Sequence, residues 1–155
     1  MRWLKLWGPA ILWACAIWSF STGTFTSEHT SRIIVPFLHW LLPHASEETL
    51  FLLHFLIRKS GHVMEYFILS LLVLRGLRAG RKESHLGWAV AAVAVVAIYA
   101  ALDEFHQSFV PGRTPAVADV LLDTAGGIAA QIVAALVILW GDVRLGRAGK
   151  SPKPG

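Results

Sequence analysis

Charged residues are scarce in this chain. They make up 15% of its 155 residues, whereas a typical soluble domain carries about 25%. Hydrophobic residues make up 55% of the chain, and the mean hydropathy is +0.55. Since so few charges cannot cover a water-facing surface, the composition excludes an ordinary soluble domain. It also excludes a disordered chain, which requires low hydrophobicity.

Cysteine is nearly absent, and the basic residues form no nucleic-acid motif. The single cysteine, Cys15, excludes a disulfide framework within the chain. The sequence pI is near 9.6, but neither a basic patch interleaved with aromatics nor a zinc-ligand spacing accompanies it, so nucleic acid is not an expected partner. Seven tryptophans are typical of a bilayer interface. We therefore interpret the chain as an integral membrane protein surrounded by the lipid bilayer.

Four apolar stretches are candidate membrane helices. A helix needs about 20 largely apolar residues to cross a bilayer. Stretches close to that length cover residues 3–20, 62–77, 86–102 and 117–140. The sequence therefore predicts the all-α class, as an integral membrane bundle of four transmembrane helices within a single domain over residues 1–145. A basic cytoplasmic tail is predicted to follow at 146–155.

The first stretch has an alternative interpretation as a cleaved signal peptide. Arg2 and Lys5 supply the basic start that such a peptide needs. The apolar run, however, continues past Cys15 to Phe20, where a cleaved segment should give way to polar sequence. We therefore favour a retained helix.

The loop between the first two predicted spans is expected to contain helical segments at the membrane interface. Prolines interrupt its apolar stretches, which lie within residues 33–57. Ser46, followed by Glu47 and Glu48, has the pattern of a helix N-cap with acids in the first turn. A helix is therefore predicted from Glu47, and it either ends in the loop or runs on through Gly61 into the second span. Both an interfacial and a re-entrant arrangement fit this loop.

The charges are distributed unevenly between the two predicted membrane sides. Ten of the 14 cations lie in the N-terminal start, the link after the second span and the C-terminal tail. Eight of the ten acids lie on the opposite side. The positive-inside rule then places both termini in the cytoplasm of a multi-pass protein of the plasma membrane. The acid-rich side is predicted to face outward.

The fourth predicted span carries small residues at a regular spacing. Gly126, Ala130 and Ala134 recur every fourth residue, a pattern that lets helix backbones approach closely in lipid. Gln131 is a polar residue in the middle of this span, and we expect it to form a hydrogen bond to a neighbouring helix.

Polar side chains from the ends of three predicted helices converge on the outer side. Arg58, His62 and Glu65 share one helix face by their spacing, and polar groups at a bilayer are costly and often functional. Taken singly, each of these polar side chains has a structural explanation, such as an interface anchor or a helix cap. Taken together, they favour a functional site. The candidate ligand-binding residues are Arg58, Lys59, His62, Tyr66, Asp103, Glu104, His106, Gln107, Arg113, Asp119 and Asp123. The candidate catalytic residues are His62, Glu65, Asp103, Glu104 and His106.

At these residues the sequence resembles the VanZ-like family. The blocks that carry the resemblance are Arg58-Lys59-x-x-His62-x-x-x-Tyr66, Asp103-Glu104-x-His106-Gln107-x-Phe109-x-Pro111-x-Arg113 and Asp119-x-x-x-Asp123-Thr124-x-Gly126, with Ser19-Phe20-Ser21 after the first span. The resemblance implies a small, multi-helix bacterial membrane protein of the cell envelope. The founding member of the family is linked to glycopeptide (teicoplanin) resistance, so the resemblance also implies such a role for this chain. One departure is Asp123, where many members carry Asn.

The hypothesis that we favour is a binding role in the envelope. Arg58, Lys59 and Arg113 would hold an anionic group, since Arg can grip a phosphate or carboxylate through two hydrogen bonds. The anion would belong to a lipid-linked cell-wall precursor or to a glycopeptide. A pore or transporter is disfavoured, because four helices give few walls and no internal repeat is visible. An oligomer of the chain is possible and would still allow a pore.

The alternative hypothesis is a membrane-embedded enzyme acting on a lipid-linked substrate. Asp103 or Glu104 would act with His106 as a general base. Alternatively, Asp103 or Glu104 would bind a divalent metal together with His62 and Glu65, which lie three residues apart on one helix face. No zinc signature, nucleophile elbow or phosphate-binding loop accompanies them, and the sequence assigns no other cofactor.

Overall fold

The computed structural model describes residues 2–22, 27–79, 85–110 and 116–148, and these residues form five helices. The helices are α1 (Arg2–Phe20), α2 (Ser27–Leu41), α3 (Glu47–Arg78), α4 (His85–Gln107) and α5 (Val117–Ala148). The described part contains no strand, so the prediction of an all-α protein is confirmed. Arg113 and the last seven residues lie outside the described residues.

Helix α3 is one continuous helix of 32 residues. Ser46 caps its start, where the Thr49 backbone N–H donates to Ser46 Oγ at 3.3 Å. It ends at Arg78, and the C-cap residue Ala79 has a left-handed backbone (φ 39°) while its N–H donates to the Arg75 carbonyl. A helix of this length extends about 48 Å, well beyond the roughly 30 Å of bilayer hydrocarbon. The helix predicted from Glu47 therefore runs on through Gly61, and the predicted span 62–77 is only its later part.

Among the described residues, three helices are long and apolar enough to cross a membrane. They are Glu47–Arg78, Leu86–Gln107 within α4 and Val117–Gly141 within α5. Helix α4 reaches past the boundary predicted at residue 102, and α5 extends into the predicted tail. Helix α1 has the predicted position of the first span but is not among the three, because Lys5, Pro9 and its tryptophans lower its hydropathy. Its membrane crossing stays a prediction.

Helices α3 and α5 run parallel to each other. Lys59 of α3 forms an ion pair with Asp119 near the start of α5. Further along both helices, Ser70 Oγ donates to the Gly127 carbonyl at 3.0 Å. Since later residues of α3 meet later residues of α5, the two helices share one direction.

Helices α1 and α4 run opposite to α3. Arg75, near the end of α3, donates from Nη2 to the carbonyl of Lys5 at the start of α1. The far end of α1 meets the far end of α4, where Ser21 Oγ donates to Asp103 Oδ2 at 2.7 Å. The ends of α1 and α4 and the start of α5 therefore lie together at one end of the bundle.

Helices α3 and α5 pack backbone to backbone at Gly126. A Cβ atom on Gly126 would lie 2.5 Å from the Val63 carbonyl oxygen, a separation that only glycine permits. Just over one turn further on, Gln131 Nε2 donates to Ser70 Oγ at 2.7 Å. The predicted hydrogen bond of Gln131 across helices is confirmed. Gly126, the first residue of the small-residue row, therefore allows the close approach of α3 and α5.

Helix α2 lies against the first half of α3 and exposes an apolar stripe. Thr30 Oγ1 lies 3.2 Å from His54 Nε2 of α3, and Leu38 is buried. Ile33, Phe37 and Trp40 are exposed. This amphipathic pattern fits the membrane-interface placement predicted for the loop, which stays a prediction.

We predict that Gly126→Ala lowers the free energy of unfolding by about 1–3 kcal/mol, because the added Cβ forces the Val63 carbonyl away and opens the α3–α5 contact. The measurement is thermal unfolding of the purified protein in detergent. Gly141→Ala in the same helix is the control, since a Cβ added there would meet no neighbouring helix within 4 Å among the described residues. Equal stability of the two variants would contradict this packing.

Candidate functional site

A groove of about 290 Å³ opens between α1, α2 and α3 at the end of the bundle where the polar residues meet. Arg58, His62 and Glu65 line it from one face of α3, as their spacing predicts. Its apolar walls include Phe20 of α1 and Ile34 of α2. The groove thus places a guanidinium, an imidazole and a carboxylate beside hydrocarbon.

Lys59 joins α3 to α5 at the rim of the bundle. Its amine forms an ion pair with the Asp119 carboxylate, and both side chains are about one-quarter exposed. The amine also lies 5.5 Å from the centre of the Phe55 ring. Lys59 and Asp119, both predicted site residues, therefore lie at the edge of the site and pair with each other.

His62 lies between the groove and the buried carboxylate of Asp123. Its Nδ1 is 3.8 Å from Asp123 Oδ1, and the ring lines the groove. Asp123 is 1% exposed, and neither of its oxygens accepts a hydrogen bond from the described residues. Burying an unpaired carboxylate costs free energy, so the adjacent imidazole is the group that can offset this cost.

Asp103 links the end of α1 to α4. Its Oδ2 accepts hydrogen bonds from Ser21 Oγ at 2.7 Å and from Gln107 Nε2 at 2.8 Å. Asp103 and Gln107 are both buried, and Tyr66 is buried within the apolar core beside Tyr99. These predicted ligand-binding residues therefore lie behind the groove and support it.

Glu104 and His106 make structural contacts in the described part of the chain. Glu104 Oε2 accepts a hydrogen bond from the Ala116 backbone N–H at 2.9 Å, immediately before α5 begins, so it caps that helix. The His106 ring stacks on Trp18 with ring centres 4.0 Å apart. No ion pair joins His106 to Asp103 or Glu104 in this part of the chain, so the predicted base pairing of these groups has no geometric support.

The structure does not assemble the predicted divalent-metal site. Over residues 2–22, 27–79, 85–110 and 116–148, no group of three or more His, Cys, Asp or Glu side chains could hold a metal ion. His62 and Glu65 share the groove but gain no third such ligand from these residues. The groove places the guanidinium of Arg58 and the imidazole of His62 on the same wall.

The model of the VanZ/LLP1 family matches residues 6–139. The chain belongs to the VanZ/LLP1 family. No curated protein and no solved structure matches the chain significantly. The matched region contains α3 and α4 whole and most of α1, and it contains the groove of this VanZ/LLP1 protein. The resemblance found in the sequence is thereby confirmed as family membership.

Sequence reasoning missed two contributions to the site of this VanZ/LLP1 protein. Ser21 was not among the predicted site residues, although it donates to Asp103 and lines the groove. Its only signal was its place in the Ser19-Phe20-Ser21 segment that carries part of the family resemblance. Thr30 of α2 also lines the groove, and no spacing pattern in the sequence connects it to α3.

We predict that Glu104→Ala lowers stability by about 1 kcal/mol, because the Ala116 N–H at the start of α5 loses its acceptor. Glu104→Gln keeps an acceptor oxygen at the same position and should recover most of that loss. Thermal unfolding of both variants in detergent measures the difference. Identical losses in the two variants would contradict the capping role.

Proposed function

We propose that this VanZ/LLP1 protein binds an anionic amphiphile of the cell envelope in the groove between α1, α2 and α3. The observation that carries the proposal is the placement of the Arg58 guanidinium next to apolar walls in one groove. Arg58 would bind the phosphate of a lipid-linked cell-wall precursor. Phe20 and Ile34 would contact the first part of its hydrocarbon chain.

The volume of the groove favours a lipid-linked phosphate over a glycopeptide. Sites for drug-sized ligands run from about 300 to 1,000 Å³, and this groove is about 290 Å³. It therefore suits a phosphate with a short length of chain, whereas a glycopeptide would leave most of its surface outside. A role in glycopeptide resistance of the teicoplanin type, which the family resemblance implies, would then act through the precursor.

The position of Arg58 along α3 supports contact with a lipid headgroup. Arg58 and Arg78 are separated by 20 positions, which corresponds to about 30 Å along a helix and equals the thickness of the hydrocarbon core. If Arg78 lies at one boundary of the bilayer, Arg58 lies at the other. The groove then opens at the level of lipid phosphates.

The charges at the opposite end support an outward-facing groove. Lys5 of α1 lies beside Arg75 of α3, whose Nη2 donates to the Lys5 carbonyl at 3.0 Å. Arg2 and Arg78 belong to the same end by helix direction. We infer from the positive-inside rule that this end is cytoplasmic, with α1 as a fourth span and both termini inside.

We predict that Arg58→Ala weakens the binding of farnesyl phosphate by about tenfold or more, because a hydrogen bond to a charged group is worth about 1.5–3 kcal/mol. The measurement is equilibrium binding to the protein in phosphatidylcholine nanodiscs. Arg78→Ala, at the other end of the same helix, is the matched control and should bind as the wild type does. Equal affinity in all three proteins would contradict the proposal.

We also predict that expression of the wild-type chain in a teicoplanin-susceptible bacterium raises the inhibitory concentration of teicoplanin. Arg58→Ala, present in the membrane at the same level, should remove the increase because the groove no longer holds its anion. An increase that survives in Arg58→Ala would separate resistance from the groove.

A further inference from the structure

We propose that the start of α1 and the end of α3 form a binding site for the phosphate group of an anionic phospholipid. The site lies at the end of the bundle opposite to the groove, and its central residue is Arg75 of α3. It goes beyond the proposed function. It uses the bilayer placement given there, but it does not depend on the ligand of the groove.

Pro9 leaves one backbone carbonyl of α1 without its helical partner. In an α-helix the N–H of each residue donates to the carbonyl four positions earlier, and proline has no N–H to give. Pro9 lies inside α1, so the Lys5 carbonyl lacks this donor. Arg75 replaces it, since its Nη2 donates to the Lys5 carbonyl at 3.0 Å. The proline thereby creates the contact that positions a guanidinium where α1 meets α3.

Packing of Trp7 against Gly76 holds the two helices together beside this contact. Gly76 is buried, and a Cβ atom there would lie 3.0 Å from the Trp7 ring. Gly76 directly follows Arg75, and Trp7 follows Lys5 by two positions. A hydrogen bond and an aromatic ring packed on backbone therefore fix the same junction. The guanidinium is in place before any ligand binds, which lowers the entropy cost of binding.

The junction carries positive charge that no described carboxylate neutralises. Arg2 and Lys5 lie three positions apart and so share one face of α1, and the side chains of Arg2, Lys5 and Arg75 are exposed. The first turns of α1 and α4 contain no acidic residue, and α3 contains none after Glu65. Among the described residues, no ion pair engages Lys5 or Arg75. A guanidinium has five N–H donors, so Arg75 keeps donors for an anion.

The depth of Arg75 in the bilayer matches the level of lipid phosphates. It precedes Arg78 by three positions, about 4.5 Å along the helix, and Arg78 marks the bilayer boundary in the placement proposed above. A long arginine side chain reaches from that depth to the interface, and it binds a phosphate through two hydrogen bonds. The acyl chains would lie along the exposed side chain of Leu4.

The charge of the junction favours an anionic lipid over a zwitterionic one. The choline of a phosphatidylcholine would bring a further cation next to Lys5 and Arg75. An anionic phospholipid brings only negative charge, and basic sites between membrane helices are suited to such headgroups.

The test is the lipid that stays bound when the protein is released from nanodiscs made of equal amounts of phosphatidylglycerol and phosphatidylcholine. Native mass spectrometry gives the ratio of the two lipids among protein molecules that carry one lipid. We predict that the wild type retains mainly phosphatidylglycerol, and that Arg75→Gln lowers the ratio by about fivefold, the factor that one basic residue contributes near an anionic surface. Arg144→Gln is the control and should leave the ratio unchanged. Arg144 lies at the same end of the bundle, but its guanidinium is 3.7 Å from the centre of the Trp140 ring.

Pro9→Ala separates this site from a general attraction between positive side chains and anionic lipid. The variant removes no charge, and it restores a backbone N–H that competes with Arg75 for the Lys5 carbonyl. We predict that it also lowers the ratio, whereas a general attraction would leave the ratio unchanged. Because alanine is favoured over proline inside a helix, this variant should fold even if Arg75→Gln does not.

An unchanged ratio in Arg75→Gln or in Pro9→Ala would overturn the site, and so would an equal loss in Arg144→Gln. Excess inorganic phosphate should leave the wild-type ratio unchanged. If it abolished the preference, the site would belong to a free anion and the lipid would be overturned as its occupant. None of these experiments involves the groove, so binding of farnesyl phosphate tests the proposed function separately.

Discussion

The contact between Gly126 and the Val63 backbone determines how α3 and α5 fit together. With no side chain at Gly126, the helices approach until a Cβ there would lie 2.5 Å from the Val63 carbonyl. The parallel direction of the two helices then brings the neighbouring residues into register. His62 therefore lies beside Asp123. The same register pairs Lys59 with Asp119 at the rim.

The polar residues form layers around that contact. Asp103, supported by Ser21 and Gln107, ties α1 to α4 behind the groove. The imidazole of His62 lies closer to the groove, and Arg58 lies beside it on the same face of α3. The buried residues hold the geometry, while the groove carries a guanidinium beside apolar side chains. This division explains why a membrane protein with so few charges gathers several of them at one end.

The sequence predicted the elements better than the contacts. Ser46 with its following acids located the start of α3, and the positions of Gly126 and Gln131 indicated a close helix contact. Gly61 did not end α3, since the cost of about 1 kcal/mol for a helical glycine is small against burial of the surrounding helix. Spacing placed His62 on a face but not beside Asp123, because partners from other helices depend on tertiary packing. The hydrogen bond that Glu104 accepts from the Ala116 N–H was likewise not predicted, because it depends on how the start of α5 meets the end of α4.

The most direct test of this account is thiol cross-linking between α3 and α5 in intact membranes. In a Cys15→Ala background, a short bifunctional reagent should join Lys59→Cys to Asp119→Cys within one chain. It should not join Lys59→Cys to Val137→Cys, which lies about 27 Å further along α5. Cross-linked peptides identified by mass spectrometry give the result. Equal cross-linking of the two pairs, or preference for the second, would contradict the parallel register on which the site depends.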